Sequence, residues 1–127
     1  MAPYTITLES NFSEFWRFNL LVQGEVLASG ERRDMVDFVA EVASVGSDLA
    51  APPADYEPHD KLQLQTLEGD ALRLYIYIMP HSMPRTDKIA QAPDFEFCVT
   101  IDHGGKRVYH RRHVVSQWSG ANIEVSL

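Results

Sequence analysis

Along most of the chain hydrophobic residues alternate with polar ones at period two, the spacing of a strand whose successive side chains point to opposite faces of a sheet. Tyr4, Ile6 and Leu8 alternate with Thr5, Thr7 and Glu9. Phe12, Trp16, Phe18, Leu20 and Val22 form an apolar face opposite Arg17, Asn19 and Gln23, and Glu25–Ser29 continues the pattern. One stretch keeps a different time. Within Asp34–Gly46 (DMVDFVAEVASVG), Met35, Phe38, Val39, Val42 and Val45 recur at intervals of three and four. That spacing predicts an amphipathic helix over 34–46 with a buried stripe. Asp34 suits its N-cap, Asp37 its first turn and Gly46 its left-handed end.

The same patterning predicts turns and registers. Gln23-Gly24 reads as a two-residue hairpin loop, setting Leu20 against Leu27 and Leu21 against Val26. In Lys61–Met79, Leu62 and Leu64 share a face with Leu72, Leu74, Ile76 and Ile78 if Glu68-Gly69-Asp70 closes a hairpin, which pairs Leu64 with Leu74 and Leu62 with Ile76. The opposite face then carries Gln63, Gln65, Arg73, Tyr75 and Tyr77. In Phe95–Val115, the residues Phe95, Phe97, Val99 and Ile101 face inward, and a Gly104-Gly105 turn sets Val108, His110, Arg112 and Val114 beside them. Arg107 then lies near Asp102 or Thr100. Ile123, Val125 and Leu127 mark a terminal strand.

The string WRFNLLVQGEVLASGE, read with the helix expected after it, resembles the strand-strand-helix repeat of the small YegP-like family. The likeness rests on Gly24, Glu25 and the alternating apolar residues, and no second copy follows. It implies a hairpin leading into a helix and carries no functional residue.

Together these elements predict an α+β fold. It consists of one curved, mainly antiparallel sheet of about seven or eight strands, in the order βββα then hairpins, with the 34–46 helix packed on one face. A chain of 127 residues fits a single domain, 1–127. The proline-containing stretches Ser47–Asp60 and Pro80–Asp94 have no regular period and read as surface loops of that domain.

Charge changes the picture more than composition does. The net charge is −7. Residues 1–60 hold 11 acids and 3 bases, residues 61–127 hold 7 and 8, and from Asp34 to Asp60 there are seven acids and no Lys or Arg. Such a surface repels nucleic-acid phosphate and attracts basic partners. No apolar run reaches the roughly 20 residues of a membrane span, and the N-terminus has no signal-peptide pattern. The lone Cys98 fits a reducing compartment, so the cytoplasm is expected.

Candidate chemistry is sparse. The basic run Lys106–His113 is split between two strand faces, which argues against a nucleic-acid stripe. On a strand, His110 and His113 point to opposite faces and cannot chelate one metal. Cys98 would be a nucleophile only with a histidine beside it. No phosphate loop, nucleophile elbow or dinucleotide fingerprint occurs. No catalytic residue, metal or cofactor is therefore expected.

The reading that follows is a non-enzymatic acidic binding protein of the inhibitor, immunity or antitoxin type, occluding a basic site on a partner protein. Its expected contact residues are Asp37, Glu41, Asp48, Asp55, Tyr56, Glu57 and Asp60. An alternative is a small-ligand binder of hotdog-like or cystatin-like shape, with an apolar pocket between sheet and helix lined by Trp16, Phe18, Phe38, Tyr75 and Phe97. A structural or assembly subunit, pairing as a homodimer through a sheet edge, is a second alternative.

Overall fold

The computed structural model describes all 127 residues and is a sandwich of two four-stranded antiparallel sheets. The strands are β1 (Ala2–Glu9), β2 (Phe18–Ala28), β3 (Glu31–Ala40), β4 (Lys61–Gly69), β5 (Ala71–Pro80), β6 (Phe95–His103), β7 (Lys106–Val115) and β8 (Ala121–Ser126). One sheet runs β4-β1-β6-β7 and the other β3-β2-β5-β8. The edge strands β3 and β4 approach each other on one side, and β7 and β8 on the other.

No α-helix is present, so the α+β expectation of one sheet covered by a helix is corrected to an all-β sandwich. Residues 31–40 form an edge strand beside β2, with Val36 buried and Phe38 and Ala40 packed against the core. Met35, Val39 and Val45, placed in the buried stripe by the helical reading, are exposed. The three-and-four spacing is a chance overlap of core-facing Phe38 with Met35 and Val39 on the outer face and with Val42 and Val45 in the loop after the strand. Val36 and Val39 were a strand signal, since β-branched side chains lose rotamer freedom in a helix and fit a pleated surface, while Val42 and Val45 lie in the loop beyond β3. Asp34 caps no helix. An extra residue, Arg33, interrupts the β2–β3 register, and Asp34 Oδ2 accepts a hydrogen bond from Leu67 N at 2.9 Å, tying edge to edge.

Nor does Gly24 turn the chain. It lies in mid-strand between Val36 and Leu74, and a Cβ there would overlap the carbonyl oxygen of Arg73. Its role is close backbone approach. The β2–β3 turn is Ser29-Gly30, with φ of 53° and 83°, the positive pair that a type I′ hairpin requires. Ser29 is the strained member. Replacing it with Asn, which tolerates this region better, should stabilise the protein by a few tenths to about 1 kcal/mol, seen as a raised Tm. An unchanged or lower Tm would count against the turn assignment.

The segment 61–79 is a corner, not a hairpin. β4 pairs with β1 and β5 with β2, so the chain changes sheets at Asp70. Gly69 permits it, because a Cβ would overlap Val26 Cγ1, and Asp70 N donates to Leu27 O at 2.8 Å. The inward faces were read correctly: Leu72, Leu74, Ile76 and Ile78 are buried, and Leu62 and Leu64 pack on the core. In the last hairpin Gly104-Gly105 is a two-residue turn, but Val108 is an extra residue in β7. This bulge reverses the expected parity. Tyr109, Arg111, His113 and Val115 lie opposite Ile101, Val99, Phe97 and Phe95, whereas Arg107 does pair with Asp102 at 3.5 Å.

Between the sheets lies one core of 20 buried residues. At one end it becomes aromatic: Phe12 stacks on Phe95 with centroids 4.2 Å apart, Phe18 meets Phe95 edge-on at 5.2 Å, and Phe15 packs on Phe97 at 5.8 Å. This end also supports the long loops.

Candidate functional site

The loop 41–60 lies against the open side of the sandwich where β3 and β4 meet. Each of its anchors is a polar contact that the backbone cannot supply for itself away from a sheet. Buried Asn19 clamps its start: Oδ1 accepts from Val42 N at 2.7 Å, and Nδ2 donates to Ala43 O at 2.7 Å. Gly46 N and Ser47 N donate to His81 O at 3.1 and 2.9 Å. Leu49 N donates to Ser82 Oγ at 2.7 Å. His59, only 3% exposed, holds the end of the loop.

His59 is held as the neutral Nε2–H tautomer. Its Nε2 donates to Phe18 O at 2.7 Å, leaving Nδ1 to accept from the Tyr56 hydroxyl at 3.0 Å. The ring lies 4.8 Å from Phe15. Burial pushes its pKa below the ordinary histidine value, outweighing the opposite pulls of the Phe18 carbonyl and Asp60. Burial likewise raises the Tyr56 pKa. These two side chains do positioning work and brace the loop against β2.

Between this braced loop and the end of β3 is a groove of about 470 Å³. Phe38, Val42, Pro53, Pro58 and Leu62 give it apolar walls, and Glu41, Asp55 and Glu57 bring three carboxylates. No Lys or Arg lines it. Three exposed acids beside an apolar surface can hold a cation whose stem is hydrophobic, the amphipathic character of Lys and Arg side chains.

Of the expected contact residues, Glu41, Asp55, Tyr56 and Glu57 come together here. Asp37 lies elsewhere, on the outer face of the β3 sheet beside Met35 and Tyr75. Asp48 carries a φ of 52° and pairs loosely with Arg85, at 3.9 Å. Asp60 is half-buried, and its backbone oxygen accepts from Ser10 N. The five residues of the alternative pocket do not converge. Phe18 and Phe97 are fully buried in the core, Tyr75 is on the outer sheet face, Trp16 is in the 3-10 turn before β2, and Phe38 lines the groove. With no helix there is no sheet–helix interface to enclose such a pocket.

Sequence reasoning missed His59 and Asn19, whose importance comes from what they touch across about 20 to 40 residues of chain. The basic residues Lys106, Arg107, Arg111 and Arg112 fall on β7, an edge strand on the side of the sandwich away from the groove. Cys98 has a histidine nearby, with Sγ 3.9 Å from His110 Nδ1, but that nitrogen is engaged with Thr100 Oγ1 at 2.9 Å. No group of three or more metal-ligating side chains occurs. No helix is long and apolar enough to cross a membrane.

No protein-family model matches the chain, and no curated protein matches it in sequence. Among solved structures it is similar to a DUF4425 family protein from Bacteroides ovatus ATCC 8483, with a TM-score of 0.55 and 12% identity, covering 99% of this chain and 92% of the other. At that identity the likeness is one of fold alone.

Proposed function

We propose that the protein acts by binding, and that the groove between β3 and the 53–59 loop receives a basic segment of a partner protein. The observation that carries this reading is the groove's lining: Glu41, Asp55 and Glu57 over apolar walls, with no cation among its residues. Electrostatic attraction would speed encounter, and the apolar walls would take the stem of an Arg or Lys side chain. A loop fixed at Asn19, His81, Ser82 and His59 loses little entropy on binding, which favours a rigid, occluding mode of action such as an inhibitor, immunity or antitoxin protein would use. Cys98 as a free thiol suits the cytoplasm as its compartment.

The test is titration of the protein with short peptides containing paired Arg or Lys, followed by calorimetry at low and high salt. The wild type is expected to bind them, more weakly as salt rises, and the triple variant Glu41→Lys, Asp55→Lys, Glu57→Lys to lose at least tenfold in affinity. Equal binding by the triple variant, or affinity indifferent to salt, would sink the reading.

A further inference from the structure

We infer that the cleft between the 3-10 turn Phe15–Arg17, the Leu49–Ala50 bend and the Pro84–Gln91 segment is a binding site for a small oxyanion, held by the guanidinium groups of Arg17 and Arg85. This site shares no residue with the acidic groove, and its test is independent of it.

Arg17 follows Trp16 in a single 3-10 turn that folds the side chain inward, and it is among the largest fully buried side chains. Two of its nitrogens are committed. Nη1 donates to Ser82 O at 3.2 Å, and Nη2 donates to Gln117 Oε1 at 2.5 Å, while Gln117 is itself fixed by donating to Pro93 O at 2.6 Å. The guanidinium carbon also lies over the Phe12 and Phe18 rings, 5.6 and 5.4 Å from their centroids. Nε is different: it is buried and has no hydrogen-bond partner. Its neighbouring carboxylate oxygen, Glu14 Oε1, is 3.4 Å away, an ion-pair distance without hydrogen-bond geometry. The Glu14 side chain is 52% exposed.

A guanidinium taken out of water needs an anion and satisfied donors, and here neutral acceptors take two nitrogens and a solvent-screened carboxylate offers the third a poor one. Burial lowers the Arg17 pKa, while the charge of Glu14 and the long contact of its side chain with the guanidinium pull the other way.

Space for an anion that would compete with Glu14 lies beside Arg17. Arg17 lines a cleft of about 240 Å³ with Glu14, Trp16, Arg85, Thr86 and Gln117, several times the roughly 30 Å³ share of one water. Arg85, from the Pro84–Gln91 segment, lines the same cleft. Its Nη2 donates to the Asp48 backbone oxygen at 3.2 Å, while the Asp48 carboxylate stands 3.9 Å away on a side chain 77% exposed. Two guanidinium groups line one cleft, and the only counter-ion of each is an exposed carboxylate, a combination that suits a planar or tetrahedral oxyanion. Carboxylate and phosphate share the required chemistry. Glu14 marks the place of one ligand oxygen and competes for it.

Two exposed side chains allow a test that leaves the core intact. The 15N spectrum would be followed at constant ionic strength during titration with sodium acetate, inorganic phosphate or sodium chloride, for the wild type, Glu14→Gln and Arg85→Gln. Acetate or phosphate should produce saturable shifts at the Arg17 Nε–H and around Thr86, with affinity several-fold tighter in Glu14→Gln and about fivefold weaker in Arg85→Gln. Saturation by acetate but not phosphate would identify a carboxylate ligand, and the reverse a phosphoryl group. The inference is overturned if chloride reproduces the shifts, if neither oxyanion saturates in Glu14→Gln, or if Arg85→Gln binds like the wild type.

Discussion

Replacing Gly120 with alanine should cost about 3 kcal/mol or more, against about 1 kcal/mol for the same change at Gly30. Both glycines have positive φ, 74° and 83°, so both substitutions carry the left-handed penalty of an L-residue. Their surroundings differ. Nothing lies within 4 Å of a Cβ built on Gly30, whereas one built on Gly120 would overlap the carbonyl oxygen of Ile78 and sit 3.1 Å from Pro80 Cδ. Backbone atoms cannot rotate away as a flexible side chain can. Gly120 also closes a tight turn, donating to Ser116 O at 2.8 Å and accepting from Ser116 N at 3.3 Å. The next residue, Ala121, opens β8 opposite Ile78. An added methyl would therefore push β8 off β5 and loosen the cover over Ile123 and Val125. Urea unfolding of the two variants measures the difference directly. Equal losses would mean that the Ser116–Gly120 turn does not press on β5.

Acidification below about pH 6.5 is expected to destabilise the fold well before carboxylates protonate. His59, His81 and His113 all have pKa values lowered from 6.5, chiefly by burial. His81 is also held down by Arg17, His113 by Arg111, and His59 by His81, while Asp60 and the carbonyl of Phe18 pull His59 the other way. The folded state thus binds fewer protons than the unfolded state between the folded pKa values and 6.5. Their contribution to stability is complete above 6.5, declines as pH falls through the folded pKa values, and levels off below them. Geometry gives the same sign. His81 Nε2 donates to Trp16 O at 2.7 Å and its Nδ1 accepts from Ser82 Oγ at 2.8 Å. A proton on Nδ1 of His81 or His59 would face a hydroxyl already donating to it. Melting temperature measured from about pH 7.5 to 5 should fall, and the variant His113→Gln should show a shallower decline. A pH-independent Tm over that range would show that these rings are not held neutral.

Much of the inside and outside of this protein was legible from alternation. Tyr4, Ile6 and Leu8, the even positions of β5, Phe95, Phe97, Val99 and Ile101, and Ile123 with Val125 all face the core as their patterns require. The acidity of 34–60 was equally plain, and four of the residues named from it line one groove. Other features were not legible. Arg17 in the core and His59 under the loop are polar residues whose burial depends on acceptors distant in sequence, Ser82 and Gln117 for one and Phe18 for the other. A local pattern does not carry that information.

What the sequence by itself determined, along β1, β5, β6 and β8, is which side chains leave water, because period two follows from the geometry of a single extended chain. Only the tertiary structure decided which strands lie side by side. Backbone donors and acceptors are the same in every strand, so a hairpin and a corner present the same alternation, and β4 could be read against β5 when it pairs with β1. One extra residue at Val108 was enough to exchange the faces of β7. At Asp34–Gly46 the choice between helix and strand went to the edge left open beside β2. Nine β2 residues find partners there, and a helix would have left that edge of β2 without its ladder of hydrogen bonds.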